Sequence, residues 1–132
     1  MKFLLDTNTC IYVINERPPE VVKRFRRYRL GDLGVSAVTV AELAYGVEKS
    51  RSNRNRAALD HFLLPLVIAR FDREAALVYG TIRAPLESKG RAIGPLDMLI
   101  AAHALSLGAT LVTNNEREFG RVAGLAVENW VG

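Results

Sequence analysis

Three carboxylates stand where a solvated charge is out of place. Asp6 ends the apolar run Phe3-Leu4-Leu5, Glu42 lies inside Val38-Thr39-Val40-Ala41-Glu42-Leu43-Ala44, and Asp97 lies inside Pro95-Leu96-Asp97-Met98-Leu99-Ile100-Ala101-Ala102. Brought together without a cation, they would repel, and at least one would take up a proton more readily. A hard divalent ion relieves that repulsion. Magnesium takes near-octahedral oxygen ligands at about 2.0 to 2.1 Å, keeps several waters, and is usually held by one or two carboxylates plus substrate phosphate. It polarises a phosphoryl oxygen and lowers the pKa of water, so phosphodiester hydrolysis is the natural reaction.

Simpler uses compete. Glu42 has the spacing of a capping box opened by Thr39, a Thr followed three places on by Glu. Asp97, in the first turn after Pro95, could do no more than complement the positive end of its helix. Neither use excludes chemistry, because a carboxylate in a first helical turn also projects beyond the edge of a sheet.

The elements that must carry these groups alternate. The spacing predicts a buried strand over 2–5 opening into a helix capped by Thr7 or Asn8, then a helix over Glu20–Leu30 with Val21, Val22, Phe25 and Tyr28 on one face. A strand over Leu33–Ser36 leads into a helix over Thr39–Ser50, with Val40, Leu43, Ala44 and Val47 turned inward. Arg51–Arg56 reads as a polar hinge before a further helix, and Leu66–Ala69 as a third strand. Asp72–Lys89 is helical apart from Pro85, which should kink or break it. Gly90–Gly94 is a loop, Pro95 opens a helix running through Leu107, and Gly108 is its cap. Thr110–Thr113 is a fourth strand, Asn114–Phe119 a turn or single helical turn, and Leu125–Val127 a short fifth strand. Strands separated by helices imply an α/β fold with a mostly parallel sheet of four to five strands, covered on both faces. In such a sheet a site lies outside the carboxyl ends of the strands. Asp6 and Thr113-Asn114-Asn115 sit at two such ends, and they share one place if strands one and four are neighbours.

The chain has 132 residues, which suits one domain over 1–132. No apolar run approaches the roughly 20 residues of a membrane span, and the start is too short for a secretory core, so a cytoplasmic protein is expected. Cys10, the one cysteine, rules out an internal disulfide and reads as a core residue. The net charge is +4 and 14 of 18 cations are arginine, whose rigid fork of donors fits phosphate. Lys23 to Arg29 holds five cations in seven residues with Phe25 and Tyr28 among them. A solvated face over packed aromatics is the preferred reading, and RNA-phosphate contacts by Arg26, Arg27 and Arg29 the alternative. His103, on another face of its helix than Asp97, reads as a packed or surface residue, His61 as surface, and Trp130 as packing the last strand.

Four segments together carry a resemblance. Leu4-Leu5-Asp6-Thr7-Asn8, Ser36 through Gly46, Gly94 through Ala104, and Leu111 through Phe119 are similar, in order and spacing along nearly the whole chain, to the successive motifs of the VapC family of PIN-domain toxins. The resemblance implies a three-layer α/β/α PIN fold and a magnesium-dependent endoribonuclease, with manganese able to substitute. It matches Asp6 and Asp97 to the metal ligands and Glu42 to the acid that orients the attacking water. Where many PIN domains have Asp, this chain has Asn115, with Glu118 as a further acid, which puts a second metal in doubt. Thr7, Asn8, Thr113, Asn114 and Asn115 are then expected to position water or substrate. The resemblance also implies a VapB-like antitoxin partner, a homodimer, and a larger assembly on operator DNA through the antitoxin. The likeness is to the type cleaving initiator tRNA in its anticodon loop. Two rivals are a catalytically silent nucleic-acid-binding module, and a phosphotransferase or phosphatase with Asp6 as nucleophile. The latter wants a second Asp where this chain has Asn8.

Overall fold

The computed structural model describes all 132 residues. Five short strands, β1 (Phe3–Leu5), β2 (Leu33–Ser36), β3 (Val67–Ala69), β4 (Thr110–Val112) and β5 (Val127–Glu128), form one sheet in the order β3-β2-β1-β4-β5, and every neighbouring pair is parallel. Parallel strands need crossovers, here supplied by helices α1 (Thr7–Ile14), α2 (Pro19–Arg27), α3 (Ala37–Ser50), α4 (Asn53–Leu63), α5 (Arg73–Ser88), α6 (Pro95–Leu107) and α7 (Glu116–Phe119). All carboxyl ends therefore lie along one edge of the sheet.

Alternation along the strands divides the core in two. Leu4 and Leu111 face the layer of α5 and α6, packing with Ile100, Ala101, Ala104 and Phe119. Leu5 and Val112 face the other layer, with Cys10, Val21, Leu43 and Phe62. Side chains of successive strand residues point to opposite faces, so both faces of this sheet must be apolar, and the result is the expected three-layer sandwich. Gly34 permits β2 and β3 to approach: a Cβ there would sit 2.9 Å from the Val67 carbonyl and would strike the Met1 side chain. Trp130 is buried against Phe3 and Tyr28. No helix is long and apolar enough to cross a membrane.

Several element boundaries differ from the sequence expectations, each for a local reason. The cap of α1 is Asp6 rather than Thr7 or Asn8, because its carboxylate accepts from the Thr9 amide at 2.8 Å. Helix α3 begins at Ala37, capped by Ser36, whose hydroxyl accepts from the Val38 amide at 3.0 Å. Thr39 is thus inside the helix and opens no capping box with Glu42. The rotation this implies buries Thr39 and Leu43 and leaves Ala44 exposed. The polar hinge yields to α4, whose cap Ser52 accepts from the Asn55 amide. Tyr28 ends α2 in an extended conformation, short of Leu30. Pro85 does not break α5, which runs through to Ser88. Only the Thr81 carbonyl loses its amide partner, and exposed Thr81 is open to water. Strand β5 pairs two residues later than expected, with Val127 opposite Leu111.

Candidate active site

Asp6 leaves β1 at the carboxyl edge and immediately caps α1, so the peptide geometry that ends the strand aims its carboxylate along that edge. It is 4% exposed. Its own amide donates to the Val112 carbonyl at 3.0 Å, and the Thr9 hydroxyl donates to the same oxygen at 3.2 Å. The pairing of β1 with β4 therefore places Thr113, the first residue beyond β4, beside Asp6. Burial pushes the Asp6 carboxyl up, opposed by hydrogen bonds from the Thr113 side chain and from Thr9.

Glu42 comes from the adjoining crossover. It lies in the second turn of α3 and accepts a hydrogen bond from the Thr7 hydroxyl at 2.7 Å, which ties α3 to the first turn of α1. Asp97 lies in the first turn of α6, its carboxylate oxygen 3.7 Å from where a Cβ on Gly94 would stand. Its pKa is raised to about 6, first by burial and then by the charges of Glu42, Asp6 and Glu118. Asp6 at the cap of α1, Glu42 on α3 and Glu118 on α7 thus all bear on Asp97 at the start of α6.

Neighbouring polar groups organise the far side. The Asn115 amide bonds the Thr113 hydroxyl at 2.9 Å, and the Asn115 side chain donates to Glu118 at 3.1 Å. Asn114 instead donates to the Tyr12 hydroxyl at 2.8 Å, which turns it toward α1. Asn8 is exposed in the first turn of α1. Two contributors were not read from the sequence, Thr9 and Tyr12. Thr9 is the amide partner that any residue three places after a capping Asp supplies, so assigning the cap correctly would have found it.

The donor set suits a hard cation. Asp97 feels the charge of Asp6, and no three acidic, His or Cys side chains are drawn close enough to cage an ion by themselves. One or two carboxylates with the remaining positions left to water or phosphate is magnesium's usual mode.

The arginine-rich helix lies elsewhere. The Arg29 carbonyl accepts from the amide of Asp32, just before β2 begins, and the Asp32 carbonyl accepts from Phe3 where β1 begins, so Arg29 adjoins the amino edge of the sheet. Arg26 pairs with Glu16, beyond the end of α1, about 12 Å from its start by helical rise. Arg27 is exposed. Phe25 stacks on Phe62 and Tyr28 packs on Phe3, so the aromatics of this segment serve the core. His103 is buried, its Nδ1 2.7 Å from the Ser36 hydroxyl and apart from the acids.

The electrostatics set a pH dependence. Asp97 holds its proton more tightly folded, at about 6, than unfolded, at 3.8, so the folded state binds more protons between these values. Stability of metal-free protein should fall as pH rises from about 4 to 6, by up to about one proton's slope. Melting temperatures measured in chelator across that range test this. A wild-type slope no steeper than that of Asp97→Asn would mean that Asp97 feels no such crowding.

Comparison with known proteins agrees with this arrangement. Residues 3–125 match the PIN domain family. The chain is 46% identical over 131 residues to the tRNA(fMet)-specific endonuclease VapC of Shigella flexneri, covering 98% of each. It is 48% identical over 132 residues to ribonuclease VapC2 of Haemophilus influenzae, covering 99% of each. A chain in the crystal structure of VapBC2 from Rickettsia felis bound to a promoter DNA fragment superposes with a TM-score of 0.91 at 41% identity, over 99% of this chain and 100% of that one. With nearly complete coverage at these identities, and the acids of the family's motifs gathered at one sheet edge, the chain belongs to the PIN domain family and, within it, to the VapC proteins.

Proposed function

We propose that this protein is a magnesium-dependent endoribonuclease, the toxin of a toxin–antitoxin pair, which hydrolyses phosphodiester bonds in single-stranded or loop RNA. The carrying observation is the meeting at one sheet edge of Asp6, capping α1 at the end of β1, Glu42, held by the Thr7 hydroxyl, and Asp97 in the first turn of α6, whose carboxyl is pushed up by burial and by the charges of Glu42, Asp6 and Glu118. Four acids crowded at one sheet edge cost stability, and such a cost is characteristic of function. Asp6 and Asp97 would hold the ion. Bound there, magnesium or manganese would supply a Lewis acid for the phosphoryl group and lower the pKa of nearby water.

The chain's own residues do the rest. The Thr7 hydroxyl fixes one oxygen of Glu42 and leaves the other free to orient the attacking water and take its proton. Asn115 holds Glu118 in place, and Thr113 holds Asp6. The activity is assigned to a single domain over 1–132. The Shigella relative is named for cleaving tRNA(fMet), so initiator tRNA is the first substrate to test. The Rickettsia structure is a VapBC2 complex on promoter DNA, which supports a VapB-like antitoxin that carries the complex to its operator. We also assign a homodimer and a cytoplasmic location, where RNA and antitoxin are both met.

Purified protein given single-stranded RNA should cut it in magnesium and not in chelator, with fragment ends mapped to locate the cut. Full cleavage in chelator removes the metal from the proposal. Binding without cleavage under every divalent ion would favour a silent RNA-binding module.

A further inference from the structure

Between α5, α6 and the turn after α7 lies a groove of about 450 Å³. Its apolar lining includes Ile82, Leu105 and Val122, and Lys89, Arg91 and Arg121 are its charged residues. No acidic residue lines it, and none of the three cations forms an ion pair. The Arg121 side chain has one polar contact, from its guanidinium to the Ala92 carbonyl at 3.5 Å.

Two backbone links join this groove to the acids. Ala92, which Arg121 touches, stands two residues before Gly94, the cap of the helix that carries Asp97, and that stretch spans at most about 7 Å. The Arg121 amide donates to the carbonyl of Glu118 itself at 3.1 Å. The elements that present Asp97 and Glu118 to the site therefore present Arg91 and Arg121 to the groove. A strand whose scissile phosphate lies at the acids is repelled by them elsewhere, and Arg91 and Arg121, free of ion pairs and joined by these links to the segments that carry the acids, lead it into the groove.

Resting on the ribonuclease reading, we infer that this groove binds the RNA strand flanking the cut, with Lys89, Arg91 and Arg121 on its phosphates and the apolar floor under one base. Cations track the backbone, while Arg guanidinium and apolar surface accept a base of any identity. An acidic protein segment would satisfy the three charges but has no reason to continue to the acids.

The test uses a variant with Lys89→Gln, Arg91→Gln and Arg121→Gln combined, and a Lys89→Arg control. Binding of a labelled single-stranded RNA is measured in chelator, and cleavage in magnesium. In chelator the triple variant should bind about tenfold more weakly, and its salt slope should fall by about 2, since each phosphate contact on a single strand contributes about 0.7. In magnesium its KM should rise with kcat unchanged, while Lys89→Arg, which keeps the charge, should keep the wild-type salt slope in chelator. Equal affinity and equal salt slope in wild type and triple variant overturn the inference. So does unchanged RNA affinity with an altered oligomeric state or lost antitoxin capture, which would make the groove a protein interface. Wild type that binds RNA through the groove but never cuts it defeats the ribonuclease reading and leaves the groove standing.

Discussion

Asp6→Asn and Asp97→Asn should each abolish RNA cleavage while the chain stays folded. The substitution is chosen so that shape survives and charge does not. Asn is as good a helix cap as Asp, so the Thr9 amide keeps its acceptor at residue 6 and α1 keeps its start. If Asp6 and Asp97 hold the metal as proposed, either variant removes a ligand charge, and with it several kcal/mol of transition-state stabilisation, which corresponds to about a thousandfold or more in rate. Stability should move the other way at residue 97. In chelator Asp97→Asn should melt at or above the wild-type temperature, because one member of a repelling group has been neutralised. Magnesium then raises the wild-type melting temperature by mass action and does much less for the variant. Calorimetry in chelator and in millimolar magnesium reads both effects. Equal magnesium shifts for the two proteins would show that Asp97 does not bind the ion, and wild-type cleavage by either variant would remove the assignment outright.

How far the site could be read from the sequence depends on the range of the interaction that fixes each part. Asp6 and Asp97 were visible because each signal is local, a strand ending in a charge and a proline opening a helix around one. The strands were legible for the same reason, as apolar runs of three or four residues between turn signals. Convergence was not local. It depends on β1 lying beside β4, a contact between residues more than a hundred apart in sequence, and alternation on a doubly covered sheet does not encode neighbour order. Caps failed by a short distance: Asp6, Thr7 and Asn8 are all competent, and the winner is the residue whose backbone is already extended at the strand end. Pro85 misled because its cost depends on whether water reaches the orphaned Thr81 carbonyl, which a sequence does not show. Charge is legible only where it is local. Five cations within seven residues stand out at Lys23 to Arg29, and the reading of Phe25 and Tyr28 as packed beneath them agrees with their contacts, whereas Lys89, Arg91 and Arg121 are dispersed in sequence and meet only across a helix junction.

Glu42→Gln separates a catalytic acid from a helix cap, the two uses its spacing allows. A capping residue, once lost, costs about 1 kcal/mol of stability and little turnover. The fold has already moved the cap to Ser36, which places Glu42 in the second turn, where no orphan amide needs it. Its one observed bond comes from Thr7, and a glutamine oxygen accepts that bond in the same geometry. Stability should therefore stay within about 0.5 kcal/mol of wild type. Basicity is what the amide lacks. If Glu42 orients the attacking water and takes its proton, cleavage should fall by about 100-fold or more, in kcat rather than KM. Thr7→Val should give a smaller loss in the same direction, since it frees the carboxylate to rotate without removing it. Neutralising Glu42 also removes the largest charge acting on Asp97, so the pH at which magnesium begins to stabilise the protein should move down. Turnover, melting temperature and that midpoint can be measured on one preparation. Intact turnover with lost stability would return Glu42 to a structural role, and an unmoved midpoint would mean that Glu42 and Asp97 do not share a site.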